Sequence, residues 1–244
     1  MSKNAQLCHY QVHSLKQLNS TLYIAQLSPA NKQCALEFKA GQYLEFLFED
    51  DSALPFSIAN KPDSSGRLEM HIRCRAGSEL PARLLSMLKS DLPIRLRGPY
   101  GQCLLSENAD QPLLFVATGT GFSQIGALIE QALADNPNRP IKFYFGAEVP
   151  EDLYADAQAN AWSQQYQQFC YVPVVSDALP EHAWQGRAGW VQQTIAEDFS
   201  QLAEYQSYLC GQPEMIIEMV KVLESKGAQR KDIFADALSW LKID

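Results

Sequence analysis

Apolar positions change their spacing once along this chain, and the change divides it in two. Up to about residue 105 they come in short runs of β character separated by turn residues: Ala5–Leu18, Leu22–Leu27, Tyr43–Phe48, Phe56–Ala59, Leu68–Cys74 and Ile94–Arg97. Polar clusters such as Lys61-Pro62-Asp63-Ser64-Ser65-Gly66 lie between them. Several short strands at this spacing predict an antiparallel barrel or sandwich. A helix interrupts them over Leu80–Lys89, where Leu80, Leu84, Leu85 and Leu88 share one face. From Pro112 onward the pattern alternates. Strand candidates Leu113–Ala117, Ile141–Phe145, Cys170–Val175 and Tyr208–Cys210 are each followed by a helix-length segment. That alternation predicts a parallel sheet with crossover helices. The polar stretch Ser106–Gln111, ending at Pro112, marks the expected boundary, giving domains 1–107 and 108–244.

The candidate chemistry begins at Val116-Ala117-Thr118-Gly119-Thr120-Gly121-Phe122-Ser123. An apolar strand ends there in a glycine turn, and a helix follows with Ile125, Leu128, Ile129 and Ala132 on one face. A strand, a tight glycine turn and a helix N-terminus make a site for a pyrophosphate. The glycines admit the anion, and free N–H groups at the positive end of the helix dipole point at it. By itself a G-x-G is a weak signal that more often marks an ordinary strand–helix connection, and Gln124 stands where the dinucleotide fingerprint has its third glycine. The loop Gly211-Gln212-Pro213 also directly follows an apolar strand. If the first and fourth parallel strands are neighbours, the two loops flank the point where strand order reverses, which is where doubly wound sheets bind ligands.

Composition narrows the classes. The chain has 244 residues, 20 basic and 28 acidic, for a net charge of −8. That balance argues against a nucleic-acid partner. The N-terminus, Met1–Ala5, is polar, and nowhere do apolar residues run far enough to span a membrane, so the expected compartment is the cytoplasm. Cysteines stand at 8, 34, 74, 103, 170 and 210, and the closest pair, Cys8 and Cys34, is 26 residues apart. No metal site is expected from that spacing.

Several motifs in order carry a resemblance over roughly residues 8–240. They are Gly41-Gln42-Tyr43, Leu54-Pro55-Phe56-Ser57-Ile58-Ala59, Arg97-Gly98-Pro99-Tyr100-Gly101, Thr118-Gly119-Thr120-Gly121, Gly146 through Tyr154, Cys210-Gly211-Gln212-Pro213-Glu214-Met215 and Phe234-Ala235-Asp236. Each is loose alone; together they resemble the ferredoxin reductase-like flavoproteins, and within them the bacterial NAD(P)H:flavin oxidoreductases. The resemblance implies an N-terminal six-stranded antiparallel flavin-binding β-barrel followed by a doubly wound, parallel-sheet nicotinamide nucleotide-binding domain. It also implies hydride transfer from nicotinamide C4 to flavin N5, with FAD or FMN and NADH or NADPH as cofactors.

By the same match, Pro55, Phe56, Ser57 and Ile58 would line the isoalloxazine, with the Ser57 hydroxyl near N5. Without the motif, Ser57 reads as a strand serine on a solvated face. Cys210 would sit beside the nicotinamide, positioning rather than attacking; its plain reading is a buried thiol ending a strand. Thr118, Gly119, Thr120, Gly121, Gly211, Gln212 and Pro213 would hold the dinucleotide. One departure matters: Leu54 stands where the family usually places an arginine on the flavin phosphate. Arg73 or Arg75 can substitute, and Gly77 and Ser78 can cradle a phosphate at the helix N-terminus, although Ser78 also reads as a simple N-cap. His71 is counted with this group, while its strand position reads as packed or surface. Weak phosphate contacts favour an exchangeable flavin substrate over a permanent FAD. Asp177 and Glu148 would repel a 2′-phosphate, which favours NADH; Arg187 is the base that would reverse that choice. Two other readings stay open: a subunit holding FAD and passing electrons to a separate iron–sulfur or oxygenase partner, and a non-catalytic nucleotide sensor.

Overall fold

The computed structural model describes residues 5–106 and 111–241. Residues 107–110, where most of the expected boundary Ser106–Gln111 falls, lie outside the described residues, as do Met1–Asn4 of the N-terminal reading. The chain forms two compact units, one up to Leu104 together with Gly126–Glu130, the other covering Leu105–Ile125 and the chain from Gln131 onward.

The first unit is a six-stranded antiparallel sheet with strand order β4-β3-β6-β1-β2-β5. Its strands are β1 (Gln6–Gln17), β2 (Leu22–Pro29), β3 (Tyr43–Leu47), β4 (Ala53–Ser57), β5 (Leu68–Arg73) and β6 (Ile94–Tyr100). The first half of β1 shows why they alternate: Cys8 and Tyr10 are buried, while Leu7, His9 and Gln11 are exposed. One face of the curved sheet packs on the core and the other meets solvent, so polarity switches with each residue. The Tyr10 hydroxyl accepts the Leu36 amide at 2.9 Å and donates to the Gly66 carbonyl at 3.2 Å, tying two loops to the core. Helix α1 (Glu79–Leu88) buries Leu84, Leu85 and Leu88, while Leu80 stays exposed.

Strand β4 begins three residues before the expected Phe56 and ends at Ser57. The reason is the β3–β4 hairpin, whose turn holds Asp51 at φ 61° and pairs Leu47 with Ala53. Ile58 has already left the ladder, its amide donating to the Gln42 carbonyl at 3.0 Å.

The second unit holds a parallel sheet with order β10-β9-β8-β7-β11-β12. Its strands are β7 (Leu113–Thr118), β8 (Ile141–Ala147), β9 (Phe169–Val175), β10 (Arg187–Ala188), β11 (Gln206–Cys210) and β12 (Ile233–Phe234). Four helices connect them: α2 (Phe122–Asp135), α3 (Asp156–Gln165), α4 (Val191–Asp198) and α5 (Pro213–Ser225). Every residue from Leu113 to Ala117 is buried, because helices cover both faces of the sheet. The edge strands β10 and β12, two residues each, are additions to the four expected strands. They are too short to show a periodicity.

Candidate functional site

In the second unit, β7 and β11 are neighbours, pairing Leu113 with Gln206 through Ala117 with Cys210. From β7 the sheet grows through β8, β9 and β10 in one direction, then resumes on the other side of β7 with β11 and β12. Strand order therefore reverses between β7 and β11, and both glycine loops leave the sheet at that point. They pack against each other. A Cβ on Gly121 would collide with the Cys210 carbonyl oxygen, and one on Gly211 would collide with Thr118 Oγ1. Only glycine permits either approach. The Thr118 hydroxyl itself is buried without a hydrogen-bond partner. Residues Gly119–Gly121 form a single 3₁₀ turn that runs directly into α2, the Phe122 amide closing the turn on the Gly119 carbonyl. On the other side, Gln212 stands at the N-cap position of α5 without a side-chain capping bond, and Pro213 opens the helix.

Gln124, at the missing third glycine, has a structural role. It is buried, and its amide nitrogen donates to Asp236 Oδ2 at 2.7 Å, tying the first turn of α2 to the chain after β12. The Cys210 thiol is pushed up to about 12, first by burial away from water and second by the negative charge of Asp236. It is a neutral thiol at physiological pH, which suits contact with a ring and not nucleophilic attack.

Farther along the sheet, Asp177 is exposed and its amide donates to the Glu148 carbonyl at 2.8 Å, bringing the ends of β8 and β9 together. Arg187 turns to α4, donating to Glu197 Oε2 and Asp198 Oδ1, each at 2.6 Å. Asp198 also accepts the Tyr144 hydroxyl at 2.9 Å. Sequence reasoning missed this network because α4 is brought against β8 and β10 by the fold alone. It also passed over Trp190, which stands exposed at the start of α4; its signal was an aromatic between Gly189 and the apolar opening of a helix.

In the first unit, β4 pairs with β3 so that Ser57 opposes Tyr43 and Phe56 opposes Leu44. Leu54 and Phe56 pack on the barrel core, and Phe56 meets the Phe46 ring edge-on at 5.6 Å. Strand alternation puts Pro55 and Ser57 on the opposite face. Ile58 is closed inside the core, leaving its backbone as the part that can reach a ligand. His71 is buried, with Nε2 3.0 Å from Glu69 Oε1, and Glu69 also accepts Gln26 Nε2 at 3.1 Å. Burial by itself raises the Glu69 pKa, but the hydrogen bonds from His71 and Gln26 outweigh it and hold the carboxyl below its ordinary value. Arg73 ends β5 half-buried. Gly77, at φ 80°, and Ser78 lead into α1, and the Ser78 side chain makes no capping hydrogen bond. Thr21, Tyr23, Arg75, Gly77 and Ser78 help to line a cleft of about 720 Å³ at this end of the helix. Among the described residues, no three His, Cys, Asp or Glu side chains gather as metal ligands, and no helix is long and apolar enough to cross a membrane.

Comparison with known proteins places these features. Residues 9–104 match the oxidoreductase FAD-binding domain and residues 115–221 the oxidoreductase NAD-binding domain. An NAD(P)H-flavin reductase of Vibrio harveyi is 32% identical over 237 residues, 95% of this chain and 98% of that protein. A CDP-6-deoxy-L-threo-D-glycero-4-hexulose-3-dehydrase reductase of Yersinia pestis is 30% identical over 202 residues, covering 83% of this chain and 60% of that protein. Among solved structures, an Amycolatopsis cytochrome P450 reductase superposes with a TM-score of 0.85 at 24% identity, over 95% of this chain and 69% of that one. With a flavin-type barrel, a parallel sheet reversing at two interlocked glycine loops and full-length similarity of this order, the chain belongs to the family of FAD- and NAD-binding oxidoreductases that includes the NAD(P)H-flavin reductases.

Proposed function

We propose that this protein is an NAD(P)H:flavin oxidoreductase that uses NADH and reduces a flavin in exchange with solution. The observation that carries the reading is the pair of interlocked loops, Thr118–Gly121 and Gly211–Pro213, at the strand reversal. The residues there fit a dinucleotide. Backbone N–H groups at the start of α2 meet the charge of a pyrophosphate, and the orphaned Thr118 hydroxyl is a buried donor in need of an acceptor. When both cofactors are bound, they supply the chemistry, a hydride passing from nicotinamide C4 to flavin N5.

The chain's own residues bind and orient. Ser57 offers a hydroxyl that donates or accepts as the flavin nitrogen changes protonation. Pro55 and the Ile58 backbone give the flavin a wall, while Phe56 packs on the barrel core and supports the strand from the other face. Cys210 orients the nicotinamide as a neutral contact. For the flavin tail, Gly77 and Ser78 present the α1 N-terminus, with Arg73 and Arg75 as the nearby positive charges in the sequence. Leu54 packs in the core and offers a phosphate nothing, which supports an exchangeable flavin. The preference for NADH is supported by the exposed acids Glu148 and Asp177 and by the engagement of Arg187 with two carboxylates.

A second reading, in which the protein passes electrons to a separate protein, draws on the Yersinia relative, whose name describes the reductase of a dehydrase. One experiment separates the two. The purified protein is examined by absorbance, then assayed for NADH oxidation with and without added FMN, FAD and riboflavin. A colourless protein that oxidises NADH only with free flavin supports the first reading. A yellow protein with stoichiometric flavin, active towards ferricyanide without supplement, replaces it with the second.

A further inference from the structure

The chain that leaves β4 is tied down residue by residue. After Ser57 and Ile58, the Ala59 amide donates to the Glu69 carbonyl at 2.8 Å, which carries the chain across to β5. Asn60 Oδ1 accepts the Glu69 amide at 2.8 Å, and Asn60 Nδ2 donates to the carbonyls of Lys61 and Arg67 at 2.9 and 3.1 Å. The Lys61 amide then donates to Glu130 Oε2 at 3.4 Å. Glu130 lies in α2, within the stretch Gly126–Glu130 that belongs to the first compact unit. The segment Ala59–Lys61 is therefore held by β5 on one side and by a single carboxylate on the other.

That carboxylate is poorly placed to be an anion. It is half-buried, and the charged or titratable side chains that face it are Lys61, from the segment, and Glu69 and His71, from β5. Glu69 already supplies a negative charge, held by His71 at 3.0 Å and Gln26 at 3.1 Å. Lys61 brings one positive charge to two carboxylates. Burial first, and repulsion by Glu69 after it, push the Glu130 carboxyl above its ordinary range, although the Lys61 amide, the Lys61 charge and His71 oppose them. A carboxyl raised in this way stabilises the packed arrangement below the ordinary glutamate pKa. That contribution is lost as pH rises through the raised value. Glu69, held below its ordinary value, loses its own contribution only as pH falls, so the two carboxyls act in separate windows.

We propose that Glu130 is a positioning residue for the flavin, a proton-dependent latch on Ala59–Lys61 that is closed when its carboxyl is neutral and loosens when it ionises. The assignment rests on the flavin reading of β4 above and adds a pH dependence to flavin binding. The test is the equilibrium quenching of riboflavin fluorescence by the full chain, with riboflavin chosen because it carries no phosphate to titrate near neutral pH. The riboflavin Kd of the unsubstituted protein is expected to rise about fivefold from about pH 5 to about pH 8. Glu130→Gln keeps an oxygen that accepts the Lys61 amide. It should bind at about pH 8 as tightly as the unsubstituted protein does at about pH 5, with a flat profile. Glu130→Ala lacks the acceptor and should bind about threefold more weakly than Glu130→Gln at every pH, also without a slope. Calorimetric titration with ADP-ribose should give one affinity for the unsubstituted protein and Glu130→Gln, since the first turn of α2 is untouched. A pH profile of Glu130→Gln parallel to that of the unsubstituted protein overturns the proposal. Equal binding by the Gln and Ala variants overturns it too, as does a loss of ADP-ribose affinity in Glu130→Gln. Riboflavin binding that does not change with pH overturns this inference alone. Failure of the unsubstituted protein to bind riboflavin at any pH overturns the flavin reading and this assignment with it.

Discussion

The glycine-loop region of the second unit and the β4 region of the first are built on opposite principles. At Thr118–Gly121 and Gly211–Pro213 the work falls to the backbone: collisions forbid side chains at Gly121 and Gly211, and in the proposed dinucleotide site helix N–H groups would supply the charge complement. At β4 it falls to side chains, and the register with β3 decides which of them face out. A backbone site tolerates almost no addition of atoms at its packed glycines. A side-chain site tolerates many changes in shape but loses function when one polar group is removed.

The largest expected effect tests the backbone side. Gly121→Val drives branched carbons into the Cys210 carbonyl. We expect a loss of about 3 kcal/mol in stability and of at least about a hundredfold in NADH affinity. Gly119→Ala is the contrast, since a Cβ there meets nothing within 4 Å and carries only the strain of φ +53°. Its cost should stay near 1 kcal/mol. Thermal unfolding and NADH titration of both variants decide the matter; equal behaviour would remove the packing argument.

For the side-chain region, Ser57→Ala should slow single-turnover hydride transfer about tenfold, the equivalent of about 1.4 kcal/mol, with stability little changed. An unaltered rate would take Ser57 out of the mechanism. A smaller effect is expected where the acids hold Arg187. Converting Glu197→Gln and Asp198→Asn together releases the guanidinium and should raise the kcat/KM ratio of NADPH over NADH about fivefold. No change in that ratio would leave Arg187 without influence on cofactor choice.

The smallest effect is a silence. Burial raises the Cys210 pKa, so its thiol remains protonated in the folded state above the pH at which an unfolded cysteine ionises. The associated stability is present below the ordinary cysteine pKa and is lost as pH rises towards about 12. Between pH 7 and pH 10, roughly spanning the ordinary thiol range, iodoacetamide should label the exposed Cys170 and spare Cys210, as peptide mapping can show. Labelling of Cys210 at a rate matching Cys170 would contradict its raised pKa.

How much could be read beforehand follows the same division. Both glycine loops were legible, because a strand, a glycine turn and a helix are local patterns and their ligand chemistry resides in the backbone. Leu113–Ala117 announced a strand covered on both faces by its unbroken apolar run. The β4 strand was read three residues late, because its start depends on where the hairpin turn at Asp51 places Ala53 opposite Leu47. His71 could be read only as packed or surface; its partner Glu69 shares its strand, while Gln26 comes from β2. Arg187 looked like a free base because the carboxylates that hold it are ten and eleven residues further on, across a turn and a helix.

The sequence by itself determined the two architectures, since periodicity records whether a strand is covered on one face or two. It determined the place of the glycine loops for the same local reason. Tertiary structure alone decided that β11 returns beside β7, that Gln124 reaches Asp236, that Arg187 is held by α4, and that Trp190 stands open beside the end of β9. These are contacts between distant segments. Their energies depend on which surfaces the fold brings together, and no local pattern of residues encodes that.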